Sequence, residues 1–212
     1  MIESRRRTEG GNCPRVAAIA IFALTVGQLA VATFVPGLPQ FEGKAFGARL
    51  FFYPLLMAIV PTACWLVRRR GTPTDPFPWG ACAFVMAPFL VDVTGNTLDL
   101  YDSVVWWDDA NHFVNWLLLS WGLGLLMARL DVRPRWILVL AITGLGAILA
   151  IAWELGEWYT FIRHGTELDS AYQDTLGDET LGTLGAFVAA LIVARGYQPS
   201  PRPDTTTFQP DS

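Results

Sequence analysis

The chain has 212 residues, 52% of them hydrophobic, and a mean hydropathy of +0.36, which is too apolar for an ordinary soluble domain. Its formal net charge is −4, from 15 basic and 19 acidic residues, and the basic residues sit where membrane topology requires them, so no nucleic-acid partner is suggested. What remains is a membrane protein, provided the apolar residues are gathered into spans and not scattered.

They are gathered. In chain order, apolar runs cover about 16–35, 48–67, 79–98, 111–128, 136–160 and 175–195. Each is close to the ~20 residues an α-helix needs to cross a bilayer core. Bare backbone polar groups are not tolerated in lipid, so the runs read as helices, and no alternating barrel pattern competes. The prediction is an all-α polytopic membrane protein, a bundle of six transmembrane helices occupying 15–196. Residues 1–14, polar and basic, and 197–212, rich in Pro, Thr and Asp, read as disordered tails with almost nothing to bury.

The first run has a basic start and the small-residue sequence Ala30-Val31-Ala32, features of a secretory signal. The apolar stretch continues through Phe34 and Val35, which favours an uncleaved first helix. Between the second and third runs, "RRRGTPTDPFP" (68–78) is a short connection whose prolines stop either helix from running on. Cys13, Cys64 and Cys82 are too few and too scattered for a disulfide framework and read as free thiols.

The basic residues orient the spans. With the N-terminus inside, all 15 of them except Lys44, Arg49 and Arg163 fall on the cytoplasmic side. By the positive-inside rule both termini are cytoplasmic. Most acids fall on the opposite, outer side or in the outer ends of the spans. Asp102, Glu167 and Asp169 lie in connecting loops and read as solvated.

Helical spacing makes the other acids informative. Asp92, Asn96 and Asp99 of the third run are spaced i, i+4, i+7 and share a face. "WWDDANHF" (106–113) opens the fourth, with Asp108, His112 and Asn115 at the same spacing and Asp109 three residues before His112. Glu154 and Glu157 form an i, i+3 pair late in the fifth. Asp174 and Asp178 share a face with Gly182 and Gly185 at the start of the sixth. The alternating topology brings these four ends to one side.

Carboxylates converging at low dielectric cannot all ionise without a cation among them. A metal neutralises them, or some hold protons, or they pair with arginine. Asp109-x-x-His112 is similar in spacing to the carboxylate–histidine ligand pairs of di-metal helical bundles. On this reading Asp109, His112, Glu154, Glu157, Asp174 and Asp178 hold one or two divalent metal ions. Asp92 and Asp108 are candidate catalytic acid–base groups, and Asn96, Asn115 and Asp99 orient the ligands. Trp106, Trp107, Trp116, Trp121, Trp153 and Trp158 read as an interfacial aromatic belt. Gly95, Gly122, Gly124, Gly144 and Gly146 read as sites of close helix approach.

Three stretches carry a family likeness: "DLYDSVVWWDDANHFVNWLL", "AWELGEWY" and "YQDTLGDETLGTLGA". Over about 45–195 they resemble the YjdF-like family of small polytopic bacterial membrane proteins, with a looser similarity to VanZ-like proteins. The matching residues are Trp107, Asp108, Asp109 and His112; Trp153, Glu154 and Glu157; Asp174, Thr175, Leu176, Asp178 and Gly182. One departure is Glu179, which follows Asp178 where the family pattern usually has leucine nearby. The resemblance implies a multi-pass protein of the bacterial cytoplasmic membrane with a shared polar site, and names no reaction.

Three functions stay open at this point. One is a metal-dependent hydrolase or transferase at the outer leaflet, acting on a lipid or envelope precursor. The second is a proton- or cation-coupled transporter or binding protein using the same carboxylates. The third is a scaffold whose polar cluster locks helix ends. The expected partners are the lipid bilayer and such a precursor. A self-association face such as "GLGAILA" serves packing within one bundle equally well.

Overall fold

A computed structural model describes residues 2–35, 37–71, 76–163 and 171–199, with side chains throughout these except at 2–11 and 161. Among the described residues there are seven α-helices and no strand: α1 (Ile2–Phe34), α2 (Phe46–Arg70), α3 (Trp79–Thr97), α4 (Leu100–Ser103), α5 (Trp107–Met127), α6 (Arg135–Glu157) and α7 (Ala171–Gly196). A five-residue π-helix, Trp158–Ile162, continues α6. The loop acids Glu167 and Asp169 and the terminal stretch 200–212 lie outside the described residues.

Among the described residues four helices are long and apolar enough to cross a membrane: Asn12–Phe34, Phe46–Arg70, Arg135–Thr160 and Ala171–Gly196. The other two expected spans form α3 and α5, of 19 and 21 residues. Both carry polar side chains within the apolar run, which dilutes their hydropathy. α5 starts at Trp107, earlier than the run at 111 suggests, because Trp107, Asp108 and Asp109 form its first turn. Acids there suit the positive end of the helix dipole. Pro54 and Pro61 lie within α2 and Pro88 within α3. Such prolines are tolerated in bundles where neighbours re-satisfy the freed carbonyls.

Long-range contacts link the ends. The Lys44 ammonium lies 2.5 Å from Asp102, tying the α1–α2 turn to α4. At the opposite end Tyr197 donates to the Leu130 carbonyl at 3.1 Å, joining the chain after α7 to the end of α5. α1, α2 and α3 pack on one side, α5, α6 and α7 on the other, and α3 against α5 joins them. The core falls into separate clusters, one around Leu29, Phe46, Tyr53 and Val93, another around Leu138, Ile142, Ala190 and Val193. Outward faces are apolar too: Leu24, Phe51, Leu55, Ile59, Leu140 and Ile148 are each more than half exposed, as a lipid-facing surface requires.

Small residues set the α5–α7 and α3–α5 distances. A Cβ on Gly185 would strike the Phe113 carbonyl oxygen, and one on Gly122 would lie 2.8 Å from the Ala81 carbonyl. Gly95, Gly124 and Gly146 are similarly tight, whereas Gly144 has nothing within 4 Å. The tryptophans divide likewise. Trp106 and Trp158 are exposed, but Trp116 is buried against Gly182, Trp107 packs on Gly95, and Trp121 stacks on Phe84 at 4.8 Å. Packing accounts for these last three better than an interfacial belt does.

Candidate functional site

The helix faces identified by spacing meet at one cavity of about 510 Å³. Its wall includes Asp92 and Asn96 from α3, Asp108, His112 and Asn115 from α5, Glu157 from α6 and Asp174 from α7. Lys44, Arg49 and Tyr53 reach it from α2 and the turn before it, and Tyr101 from α4. Asp99 and Asp109 are exposed and lie off this wall. Consecutive helix residues point about 100° apart, so when Asp108 faces the cavity Asp109 turns from it.

One side of the site is neutralised. Asp92 accepts from Arg49 Nη1 at 2.8 Å, the Tyr53 hydroxyl at 2.8 Å and the Tyr101 hydroxyl at 2.9 Å. Asn96 Nδ2 donates to the Asp92 backbone carbonyl at 3.0 Å. The chain of bonds continues: Asn111 Nδ2 donates to the Tyr101 hydroxyl, and Asn115 Nδ2 to Asn111 Oδ1 at 2.8 Å. Tyr53, Tyr101 and Asn111 were not evident as site residues from the sequence. Arg49 and Tyr53 are four apart on α2, a spacing that marks a shared face, but nothing local connects that face to Asp92.

The opposite side centres on His112. Its side chain is 9% exposed, and both ring nitrogens look at carboxylates. Nε2 lies 3.8 Å from Asp108 Oδ1 and 3.7 Å from Asp178 Oδ1. Nδ1 lies 3.7 Å from Glu154 Oε1 and has no hydrogen-bond partner. Two donor triads result, Asp108–His112–Asp178 and His112–Glu154–Glu157, with ligand atoms within 4.8 Å of one another in each. Among the described residues no lysine or arginine lies within ion-pair distance of any of these four acids.

These separations carry information. They exceed hydrogen-bond length, yet donors held about 2.1 Å from a metal stand roughly 3.4 Å apart in a tetrahedral shell. The His112–carboxylate distances are within a few tenths of an ångström of that spacing, while the full triads span up to 4.8 Å. The donor set of imidazole and carboxylates suits zinc, manganese or iron.

The fold and site together define a polytopic helical membrane protein with a partly buried carboxylate–histidine cluster among its helices. More specifically, the chain belongs to the family described as predicted membrane protein DUF2238, whose profile matches residues 18–198. That membership is consistent with the YjdF-like resemblance. No curated protein and no solved structure matches the chain.

Proposed function

We propose that the His112 cluster binds a divalent metal ion at the outer side of a bacterial cytoplasmic membrane, with both termini cytoplasmic, and that the ion serves hydrolysis or group transfer on a lipid or envelope precursor. The observation that carries this reading is the buried His112 ring, whose Nδ1 has no hydrogen-bond partner and whose nitrogens stand 3.7–3.8 Å from three carboxylates. In this reading Asp108, His112 Nε2 and Asp178 hold the ion. Glu154 then faces Nδ1 and orients the ring, as the second nitrogen of a metal-bound histidine usually meets a carboxylate or carbonyl. Bound there, a metal supplies Lewis acidity toward a phosphoryl or acyl oxygen and lowers the pKa of a coordinated water.

The chain's own residues do the rest. We assign Asp174 and Glu157, both on the cavity wall, the part of accepting a proton from a nucleophile. Tyr101, Asn111 and Asn115 form a polar rail that positions a ligand. The outer placement rests on the distribution of basic residues: Arg68, Arg69 and Arg70 end α2 and Arg195 lies in the last turn of α7, away from the cluster.

Elemental analysis of protein purified in mild detergent without chelator tests this, beside His112→Ala and Glu154→Gln. A near-stoichiometric transition metal is expected in the wild type, lost in His112→Ala and bound about 10–100-fold more weakly in Glu154→Gln. Full metal content in His112→Ala, with helicity unchanged by circular dichroism, sinks the assignment. A wild type that takes up no metal by equilibrium dialysis also sinks it, and shifts the weight to protonated carboxylates and the transport reading.

A further inference from the structure

The cavity before the His112 cluster has a second character that the metal site does not use. We infer that it binds the phosphate headgroup of a lipid-linked phosphate, with Lys44 holding the phosphate opposite the His112 cluster and Pro88, Phe89 and Leu119 covering the first carbons of the chain. This inference rests on the metal reading above and deepens it by naming a ligand class.

Placement is the first argument. Lys44 and Arg49, two of the three basic residues at this end, both lie on the wall of one cavity. A sharp turn delivers Lys44 there, with Gly43 at φ 76° and Ala45 at φ 50°. Arg49 is committed to Asp92 through Nη1 at 2.8 Å, a mostly buried pair that stays in place. Lys44 is different. Its partner Asp102 is 61% exposed, and such a pair is weak and easily exchanged for a better anion. Lys44 is therefore the cation able to turn to a ligand.

Layering is the second argument. Pro88 and Phe89 precede Asp92 by about one turn of α3, and Leu119 follows Asn115 by one turn of α5. The apolar wall thus lies roughly 5 Å deeper along the helices than the polar ring. A molecule with an anionic head and a hydrocarbon chain pointing toward the membrane centre matches this order. A volume near 510 Å³ is in the range of small-ligand sites and holds a headgroup with the start of a chain.

Charge adds a condition. Without an ion, Asp92, Asp108, Glu157 and Asp174 outnumber Lys44 and Arg49 on the wall, and a phosphate is repelled. A divalent ion at Asp108, His112 and Asp178 offsets most of this excess and presents a cation to the phosphate. Phosphate and metal therefore bind with positive coupling, each raising the other's affinity by the same factor.

Tryptophan fluorescence reads the site directly, because Trp116 and Trp153 line it. Full-length protein in a neutral maltoside detergent is titrated with hexyl phosphate, inorganic phosphate and hexanol, with and without Mn²⁺, and Mn²⁺ binding is measured separately by dialysis. Hexyl phosphate is expected to bind about tenfold tighter with Mn²⁺ than without it. Lys44→Gln is expected to weaken it about tenfold with Mn²⁺ uptake unchanged, a loss typical of one charge-assisted hydrogen bond. Asp102→Asn, which releases Lys44, is expected to tighten it. Hexyl phosphate binding no better than hexanol, or equally well to Lys44→Gln, overturns the inference while leaving a measured Mn²⁺ site intact. Inorganic phosphate binding as tightly as hexyl phosphate overturns the lipid assignment. Failure of Mn²⁺ to bind at all is the separate failure of the metal reading.

Discussion

Replacing Asp92 with asparagine should cost the protein more than any other single charge removal on the cavity wall. The Arg49 and Asp92 side chains are 17% and 15% exposed, so the pair is largely withdrawn from water. Asp92 also accepts from two tyrosine hydroxyls at 2.8 and 2.9 Å. The introduced amide could still accept one bond but carries no charge, leaving the Arg49 guanidinium buried without its counter-ion. Breaking one partner of a buried pair typically costs about 3–5 kcal/mol. Reversible unfolding in mixed micelles, followed by circular dichroism, measures this. The companion variant Arg49→Gln should show a loss of similar size. The double variant should lose less than the sum, with a coupling of about 2 kcal/mol. A loss below about 1 kcal/mol, the range of exposed pairs, would refute the reasoning. So would strict additivity in the double variant.

Two further outcomes follow from packing and from surface charge. Gly185→Ala places a methyl group on the Phe113 carbonyl oxygen and 3.0 Å from the Leu117 amide nitrogen. These are backbone atoms that cannot swing aside, so a loss of about 1–3 kcal/mol is expected. Gly144→Ala meets nothing within 4 Å and should be neutral or stabilising by up to about 1 kcal/mol; equal melting temperatures for the two variants would contradict this account. Lys44 holds the Asp102 carboxyl below its usual range, chiefly through their hydrogen bond. Because the folded pKa is the depressed one, this contribution is full above the unfolded pKa near 3.8 and fades as pH falls through the folded value. With Asp102 so exposed it amounts to less than about 1 kcal/mol. Comparing wild type with Asp102→Asn between pH 6 and pH 3 should show a difference that shrinks toward acid, and a difference that grows would have the wrong sign.

Much of the fold is legible in hydropathy, because lipid imposes a simple rule on spans. The runs at 16–35, 48–67, 136–160 and 175–195 all coincide with long apolar helices. α3 and α5 are harder, since a helix that lines a polar cavity must break its own apolar pattern. The ring of Trp107, in the first turn of α5, packs on Gly95, a contact between helices that no window average contains. Intrahelical spacing makes Asp108 and His112 readable as one face. It says nothing of which face they meet. Arg49 and Asp92 are 43 residues apart, so their pairing is a tertiary fact. Tyr101 reaches Asp92 only after the chain turns at Asp99, whose φ is 58°.

The acids of this protein therefore divide by what opposes them, more than by depth or spacing. Asp92 resembles a catalytic carboxylate in sequence, placed inside a span beside Asn96. In space it meets Arg49 and two tyrosines, a set that satisfies its charge and most of its lone pairs. These partners, from α2 and α4, tie α2, α3 and α4 together around the cavity. Asp108, Glu154, Glu157 and Asp178 surround an imidazole that cannot compensate four charges, with no arginine or lysine in ion-pair reach among the described residues. Leaving buried carboxylates uncompensated at low dielectric is costly, so Glu154 and Asp178 call for protons or a cation, while Asp108, 46% exposed, is also open to water. Protons would neutralise the acids, and a protonated Glu154 could donate to Nδ1 of His112 once the 3.7 Å between them closes. An ion held by Asp108, His112 Nε2 and Asp178 would neutralise the same acids and leave Nδ1 facing Glu154, so metal analysis beside carboxylate titration separates the two.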